Sequence, residues 1–187
     1  KSEFLMATFI MLPNGDVLQQ WDSSGGGTSS YTDVDNDNGD TEYAFSNTTA
    51  ERMIVDLAAP SVAEADMDFD EDVTVTIKAS VKKYSIGTSY VIFQQTGTAA
   101  DLGSISNGSD TITVASSASY NTISGTGQTT SDGSSDDWEY GDLAGLQIRV
   151  DKFRNDRFGE LRVSYLYAEV DYTPAVTDNA TFFGANF

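Results

Sequence analysis

The stretch Gly159-Glu-Leu-Arg-Val-Ser-Tyr-Leu-Tyr-Ala-Glu-Val-Asp-Tyr172 decides the fold, because its apolar and polar side chains alternate almost throughout. A period of two is typical of a strand with one buried face, so this stretch is predicted to be a long central β-strand. The apolar set moves from odd to even positions near Ser164, and a β-bulge there keeps all of it on one face. The alternative is that Tyr165 and Tyr167 are buried against a second face.

A second alternating run, Leu146-Gln-Ile-Arg-Val150, comes shortly before this strand. The link between the two runs carries several charges and a glycine, which suits a surface connection. We therefore predict that the two runs are antiparallel neighbours in one sheet.

Strand-like runs recur about every 8 to 15 residues along the chain, with almost no helical periodicity between them. The clearest run of the first half, at 72–83, alternates apolar with Thr, Ser and Lys side chains. We predict an all-β fold, an antiparallel β-sandwich of jelly-roll type with about ten short strands and little helix. The expected organisation is a cloning remnant at 1–5, a single domain at 6–174 and a C-terminal tail at 175–187.

Two missing residue types limit the chemistry that this chain can perform. The 187 residues include no His and no Cys. Ser-His-Asp triads, Cys-His pairs and ordinary zinc sites are therefore excluded. Paired carboxylates, metal-assisted chemistry on oxygen ligands and Lys- or Tyr-based chemistry remain. With 29 acidic residues some carboxylates will always lie close together, so proximity alone is weak support for an active site.

The formal net charge of -19 also limits the partners. Nucleic acids need clustered Lys and Arg, and anionic membrane surfaces attract basic segments, so neither is an expected partner. No run approaches the roughly 20 apolar residues of a membrane-spanning helix. The general interpretation of the charge is solubility, and the more specific one is cation binding.

The loop Asp33-Val-Asp-Asn-Asp-Asn-Gly-Asp40 is the best candidate for a metal site. Calcium takes about six to eight oxygen ligands, and alternate carboxylates near a glycine let one loop wrap around a hard cation. The predicted ligands of a structural calcium ion are Asp33, Asp35, Asp37 and Asp40. The alternative is a solvated turn whose Asp and Asn side chains bond to their own backbone. A second acidic run, at 66–72, is a weaker candidate because charges before a strand are usually solvated.

Aromatic residues suggest a second kind of site. Trp21 and Tyr31 are the predicted glycan-binding residues, because aromatic faces pack against the apolar faces of sugar rings while nearby polar groups bond the hydroxyls. The alternative is that both rings pack in the core, where aromatic side chains contribute most of their energy. For Trp138 the prediction is a lid over one end of the sandwich.

Positive charges and the tail suggest self-association. Three lysines lie on or next to the polar face of the 72–83 run. Five further basic residues surround the central strand: Arg149, Lys152, Arg154, Arg157 and Arg162. Such a basic strip would let subunits associate head to tail through the acidic loop, and the alternative is cross-strand pairing within one chain. The tail aromatics are expected to dock on another subunit or to fold back on their own sandwich. The predicted oligomer contacts are Arg154, Arg157, Phe182, Phe183 and Phe187.

Four stretches carry a family resemblance through their order and spacing. They are Pro13-Asn-Gly-Asp16 with Trp21, Tyr31-Thr-Asp-Val-Asp35 with Gly39-Asp-Thr-Glu-Tyr43, Trp138 with Asp142-Leu-Ala-Gly-Leu-Gln-Ile148, and the strand 162–172. Together they resemble the jelly-roll virion proteins of tailed bacteriophages, many of them marine. The resemblance covers residue 6 to about residue 174. It implies a β-sandwich that decorates a phage head, belongs to a fibre or appendage, or serves as a carbohydrate-binding-like module, and it implies no catalytic residues.

The leading hypothesis is a non-enzymatic virion structural protein at the virion surface or outside the cell. We expect it to bind other virion proteins or to form a homo-oligomer, with a trimer favoured. The alternative is a calcium-stabilised carbohydrate-binding module that recognises a cell-surface glycan. A third hypothesis is a hydrolase or lyase acting on glycans through two carboxylates about 5 to 10 Å apart.

Overall fold

The computed structural model describes residues 6–24, 31–47, 51–83, 88–96, 107–115, 119–131, 136–153 and 159–176. In these ranges the chain forms twelve β-strands, one short α-helix and two 3-10 turns. The strands are β1 (Ala7–Met11), β2 (Pro13–Gln19), β3 (Asp22–Ser23), β4 (Ala44–Ser46), β5 (Arg52–Leu57), β6 (Met67–Asp68), β7 (Thr74–Lys83), β8 (Thr88–Thr96), β9 (Asn107–Ala115), β10 (Asn121–Ser124), β11 (Gln147–Phe153) and β12 (Leu161–Pro174). Helix α1 spans Tyr140–Ala144, and the 3-10 turns span Tyr31–Asp33 and Glu64–Asp66.

The strands form two antiparallel sheets. One has the order β10-β7-β12-β4-β3, with β1 and β6 also paired to β12, and the other has the order β2-β5-β11-β8-β9. Eight of these strands form two layers, β1-β12-β7-β10 and β5-β11-β8-β9. Along the chain these eight alternate between the layers, except that β8 and β9 are adjacent in one sheet. This is the double-sheet arrangement of a jelly roll, so the predicted fold class is confirmed.

The prediction that the runs at 146–150 and 159–172 are neighbours is wrong. β11 pairs with β5 and β8, whereas β12 pairs with β7, β4 and β1 in the other sheet. Each strand buries one face, and its alternation is the same whichever sheet contains it. β11 and β12 therefore lie in different layers.

β12 is the central strand, and it contains the predicted bulge. Its register against β7 runs to Val163 opposite Val81 and resumes with Tyr165 opposite Ser80. Ser164 is therefore the extra residue, and it is completely buried. Because one residue is accommodated without a partner, apolar residues on both sides of the bulge face the same way.

The hydrophobic core lies between the two sheets. One cluster of buried side chains joins them and includes both tryptophans. β12 contributes six members: Leu161, Val163, Leu166, Ala168, Val170 and Tyr172. Helix α1 places Leu143 in the same cluster, and a capping box between Glu139 and Asp142 stabilises the start of the helix. In the part of the chain that the structure covers, no helix is long and apolar enough to span a bilayer.

Candidate functional site

The bulge places a pair of tyrosines on the outer face of the seven-stranded sheet. After Ser164 the odd-numbered side chains of β12 point away from the core, and Tyr165 and Tyr167 are both half-buried. Their ring centroids are 4.8 Å apart, with 35° between the ring planes. Burial raises the pKa of Tyr165, and the nearby Tyr167 and Asp37 add to this effect. The Tyr165 hydroxyl is thus neutral near pH 7.

An ion pair lies beside these rings. Lys78 Nζ on β7 donates a hydrogen bond to Glu169 Oε1 on β12 at 2.5 Å. This hydrogen bond raises the pKa of Lys78, so the amine stays charged. Both side chains are about one quarter exposed, at 24% and 25%. We call the surface formed by Tyr165, Tyr167, Lys78 and Glu169 the tyrosine face.

A second group of charges lies further along the same two strands. Lys82 Nζ donates to both carboxylate oxygens of Asp40, at 2.8 and 2.9 Å, and Arg162 Nη1 donates to Asp40 at 3.1 Å. The hydrogen bond from Lys82 holds the pKa of Asp40 below its usual range. The Arg162 guanidinium lies 4.2 Å from the ring centroid of Tyr43, and Lys82 Nζ lies 5.4 Å from that of Tyr120. These contacts fix an exposed carboxylate among two cations and two aromatic rings.

The acidic loop docks beside the tyrosine face. The backbone N–H of Leu166 donates to the carbonyl of Val34 at 2.9 Å, so the loop meets β12 immediately after the bulge. Ser164 Oγ and Asp37 Oδ1 are 3.5 Å apart. Gly39 has a φ of 60°, a left-handed conformation that lets the loop turn back toward β4. The loop therefore borders the face at the level of Tyr165.

The predicted calcium ligands are not brought together. Asp40 is paired with Lys82 and Arg162, Asp37 lies near Ser164, and Asp33 is buried in a 3-10 turn. Across the described ranges, no group of three or more acidic side chains is arranged to hold a metal ion. The loop thus uses part of its charge to attach itself to the sheet.

The predicted glycan-binding residues, Trp21 and Tyr31, both pack against the hydrophobic core. Trp21 is only 2% exposed and belongs to the hydrophobic core, so its ring has no free face for stacking on a sugar. Tyr31 is half-buried and packs against the same core. The core-packing alternative therefore describes Trp21.

Several basic residues of β7, β11 and β12 pair within the chain. Besides the pairs already described, Arg162 contacts Glu160, and Arg149 Nε donates to Asp151 at 2.9 Å. These side chains therefore pair within one chain, but only Lys78–Glu169 is a pair between neighbouring strands. The five predicted oligomer contacts lie outside the described residues: Arg154, Arg157, Phe182, Phe183 and Phe187.

An acidic cleft lies at one end of the sandwich. It has a volume of about 630 Å³ and is lined by Phe69, Ser131, Trp138 and five carboxylates: Asp70, Asp136, Asp137, Glu139 and Asp142. Trp138 is only 3% exposed, and its Nε1 donates to the carbonyl of Gln128 at 3.0 Å. The indole therefore belongs to the core and presents little ring surface to the cleft.

The tyrosine face was not among the predicted sites, although the sequence contains a signal for it. Once a bulge is placed at Ser164, parity alone puts Tyr165, Tyr167 and Glu169 on the outer face. The contribution of Lys78 depends on β7 being the neighbour of β12, and the sequence does not specify that pairing.

Comparison with known proteins gives a limited picture. No protein-family model matches the sequence, and no curated protein matches it. One solved structure with some similarity is a family 11 carbohydrate-binding module from Clostridium thermocellum in complex with a β-1,3-1,4-mixed-linked tetrasaccharide; it has a TM-score of 0.38 and 11% identity, over 87% of each chain. Another is the family 11 carbohydrate-binding module of a cellulosomal cellulase from the same organism, with a TM-score of 0.35 and 11% identity over 93% of this chain and 90% of that one. Similarity at this level does not extend to function.

Proposed function

We propose that this protein is a non-catalytic binding module that takes a glycan on the tyrosine face. The observation that carries the proposal is the Tyr165–Tyr167 pair, half-buried on the outer face of the central strand and flanked by the Lys78–Glu169 ion pair. Aromatic faces pack against the C–H faces of sugar rings, and such contacts are strongest when the ring is already held in place.

The polar groups beside the rings match the hydroxyls of a sugar. Glu169 and Asp40 offer acceptor oxygens, whereas Lys78 and Arg162 offer N–H donors. Each of these side chains is already held by an ion pair, so little side-chain freedom is lost when a ligand binds. A glycan lying along β12 would meet stacking and hydrogen-bonding groups in alternation.

The state of the carboxylates favours binding over hydrolysis. A glycosidase needs a carboxylic acid whose raised pKa keeps it protonated near neutral pH. Asp40 has a lowered pKa, and Glu169 is bound to a lysine. Asp40 is therefore suited to accept hydrogen bonds from hydroxyls and unsuited to protonate a leaving group.

The proposal can be tested by affinity electrophoresis against soluble polysaccharides, including a mixed-linkage β-1,3-1,4-glucan. A retarding polysaccharide is expected, and Tyr167→Ala should weaken its binding about tenfold because the stacking face is lost. Tyr167→Phe is the matched control, since it keeps the ring and removes only the hydroxyl. Equal retardation of the alanine variant and the wild type would rule out the tyrosine face.

As a second candidate function we propose attachment to a virion, on the basis of the motifs at 13–43 and 138–172. The observation that favours it is an apolar surface at strand β1, where Met6 and Ile10 are 50% and 45% exposed. Exposed side chains of this size on an outer strand suit docking against another protein. Light scattering at increasing concentration should then give a trimer that Ile10→Asp dissociates, and a monomer at all concentrations would contradict self-association.

A further inference from the structure

Asp40 is an exposed carboxylate that sits on two buried cations at the outer face of the seven-stranded sheet. Its side chain is 59% exposed, whereas the side chains of its partners, Lys82 and Arg162, are only 5% and 14% exposed. Lys82 Nζ lies 2.8 Å from Asp40 Oδ2, and Arg162 Nη1 lies 3.1 Å from Asp40 Oδ1. A ligand that approaches this part of the sheet therefore meets the carboxylate before it meets either cation.

The carboxylate is ionised, and the nearby cations are already engaged. The hydrogen bond from Lys82 holds the pKa of Asp40 below its ordinary value, so this group is negative at neutral pH. Arg162 also contacts Glu160, so two carboxylates share its guanidinium. The Lys78 amine beside the tyrosines is likewise bonded to a carboxylate. An acidic sugar would have to displace one of these carboxylates before it could pair with a cation.

This charged group lies within reach of a glycan on the tyrosine face. Arg162 is opposite Lys82 in the ladder between β12 and β7, and Tyr167 is opposite Lys78. The spacing of four residues on β7 corresponds to about 13 Å, at about 3.3 Å per residue. A glycan of several sugar units that stacks on the tyrosines and continues along β12 therefore reaches the Asp40 carboxylate.

We propose that the outer face takes neutral glycans and that Asp40 rejects glycans with acidic sugars such as uronates. This inference rests on the proposed glycan-binding function. A neutral sugar donates a hydroxyl hydrogen bond to the carboxylate, whereas a uronate at the same place sets one negative charge against another. The formal net charge of -19 adds a repulsion of the same sign over a longer range. Asp40 is therefore a specificity-determining residue.

The test compares two matched ligands by isothermal titration calorimetry at neutral pH. One is a soluble mixed-linkage β-1,3-1,4-glucan, and the other is the same glucan oxidised at C6 to glucuronic acid. In low salt the wild type should bind the neutral glucan at least about tenfold more tightly than the oxidised one. In about 1 M NaCl the screening length falls to about 3 Å, so this ratio of affinities should become smaller. The salt comparison uses the wild type alone and does not depend on the folding of a variant.

Two substitutions separate Asp40 from the overall charge. Asp40→Asn keeps the size of the side chain and one acceptor oxygen but removes the negative charge, so the ratio of affinities in low salt should fall about fivefold. Asp70→Asn is the matched control, because it removes the same charge from an exposed residue. Asp70 follows β6, which pairs with Thr173 and Pro174 at the other end of β12. Its variant should keep the wild-type ratio.

Three results overturn the proposal, and they differ in what they leave standing. Equal affinity of the wild type for the two glucans would mean that the face does not discriminate by charge, although glycan binding itself would stand. An unchanged ratio in Asp40→Asn, or an equal change in both variants, would remove Asp40 from this role. Binding of neither glucan would overturn the proposed function together with its specificity.

Discussion

Deletion of Ser164 should be tolerated, although this residue is completely buried in the central strand. Val163 faces the core and Tyr165 faces outward, and their partners Val81 and Ser80 are consecutive on β7. Removing the bulged residue therefore joins two segments that already alternate correctly. The loss is limited to one long contact with Asp37, at 3.5 Å, and local strain. We expect a cost of about 1 kcal/mol.

Deletion of Tyr167 is the contrasting change, because this residue has a partner in the ladder. Its removal turns the following core residues toward solvent, including Val170 and Tyr172, which are 0% and 8% exposed. Exposing two large apolar side chains costs about 3 to 6 kcal/mol, a large part of the stability of an ordinary domain. This variant should be largely unfolded or strongly destabilised.

The assay is urea unfolding followed by the fluorescence of the two buried tryptophans, Trp21 and Trp138. The midpoint should fall slightly for the Ser164 deletion and severely for the Tyr167 deletion, and the m-value of the former should be unchanged. Equal destabilisation by both deletions would refute the reasoning, because it would mean that Ser164 is an ordinary paired position.

Three further predictions concern other parts of the structure. Leu166→Ala empties a completely buried position and should cost about 2 to 5 kcal/mol in urea unfolding, whereas Tyr167→Ala on the outer face should cost much less. The pKa of Asp40 is below its ordinary 3.8, so the ionised carboxylate stabilises the folded state above pH 3.8, and this stabilisation is lost as the pH falls through the lowered pKa. In a pH series of thermal melts, Asp40→Asn should therefore lose less stability than the wild type in this acidic range. Gly39→Ala places a side chain at a φ of 60° and should lower stability by about 1 kcal/mol, measurable as a reduced Tm.

The strands could be predicted from the sequence better than their partners could. Alternation identified β12 and placed its bulge, because burial of one face imposes a period of two on the chain itself. Alternation contains no information on which sheet a strand joins, and for this reason β11 was assigned to the wrong neighbour. Strand order is set by contacts between segments far apart in sequence, such as β1 with β12.

The same distinction applies to the candidate sites. The acidic loop was recognisable from its composition, but the ion pairs of Asp40 join it to Lys82 and Arg162, which are 42 and 122 residues away. These distant partners decide where the Asp40 carboxylate lies. Residue type likewise could not separate a core indole from a surface one, so Trp21 was assigned to the surface. The outer position of Tyr165 and Tyr167 could have been predicted, because a bulge at Ser164 already implied that both side chains point outward.

The location of a bound glycan is the most direct test of the proposed function. Backbone amide shifts should be recorded by NMR while the retarding polysaccharide, cut to a soluble oligosaccharide, is added to the wild-type chain. The account predicts changes centred on Tyr165–Glu169 of β12 and on Lys78 of β7. Changes centred instead on the cleft around Phe69 and Trp138, with the tyrosine face unaffected, would contradict it.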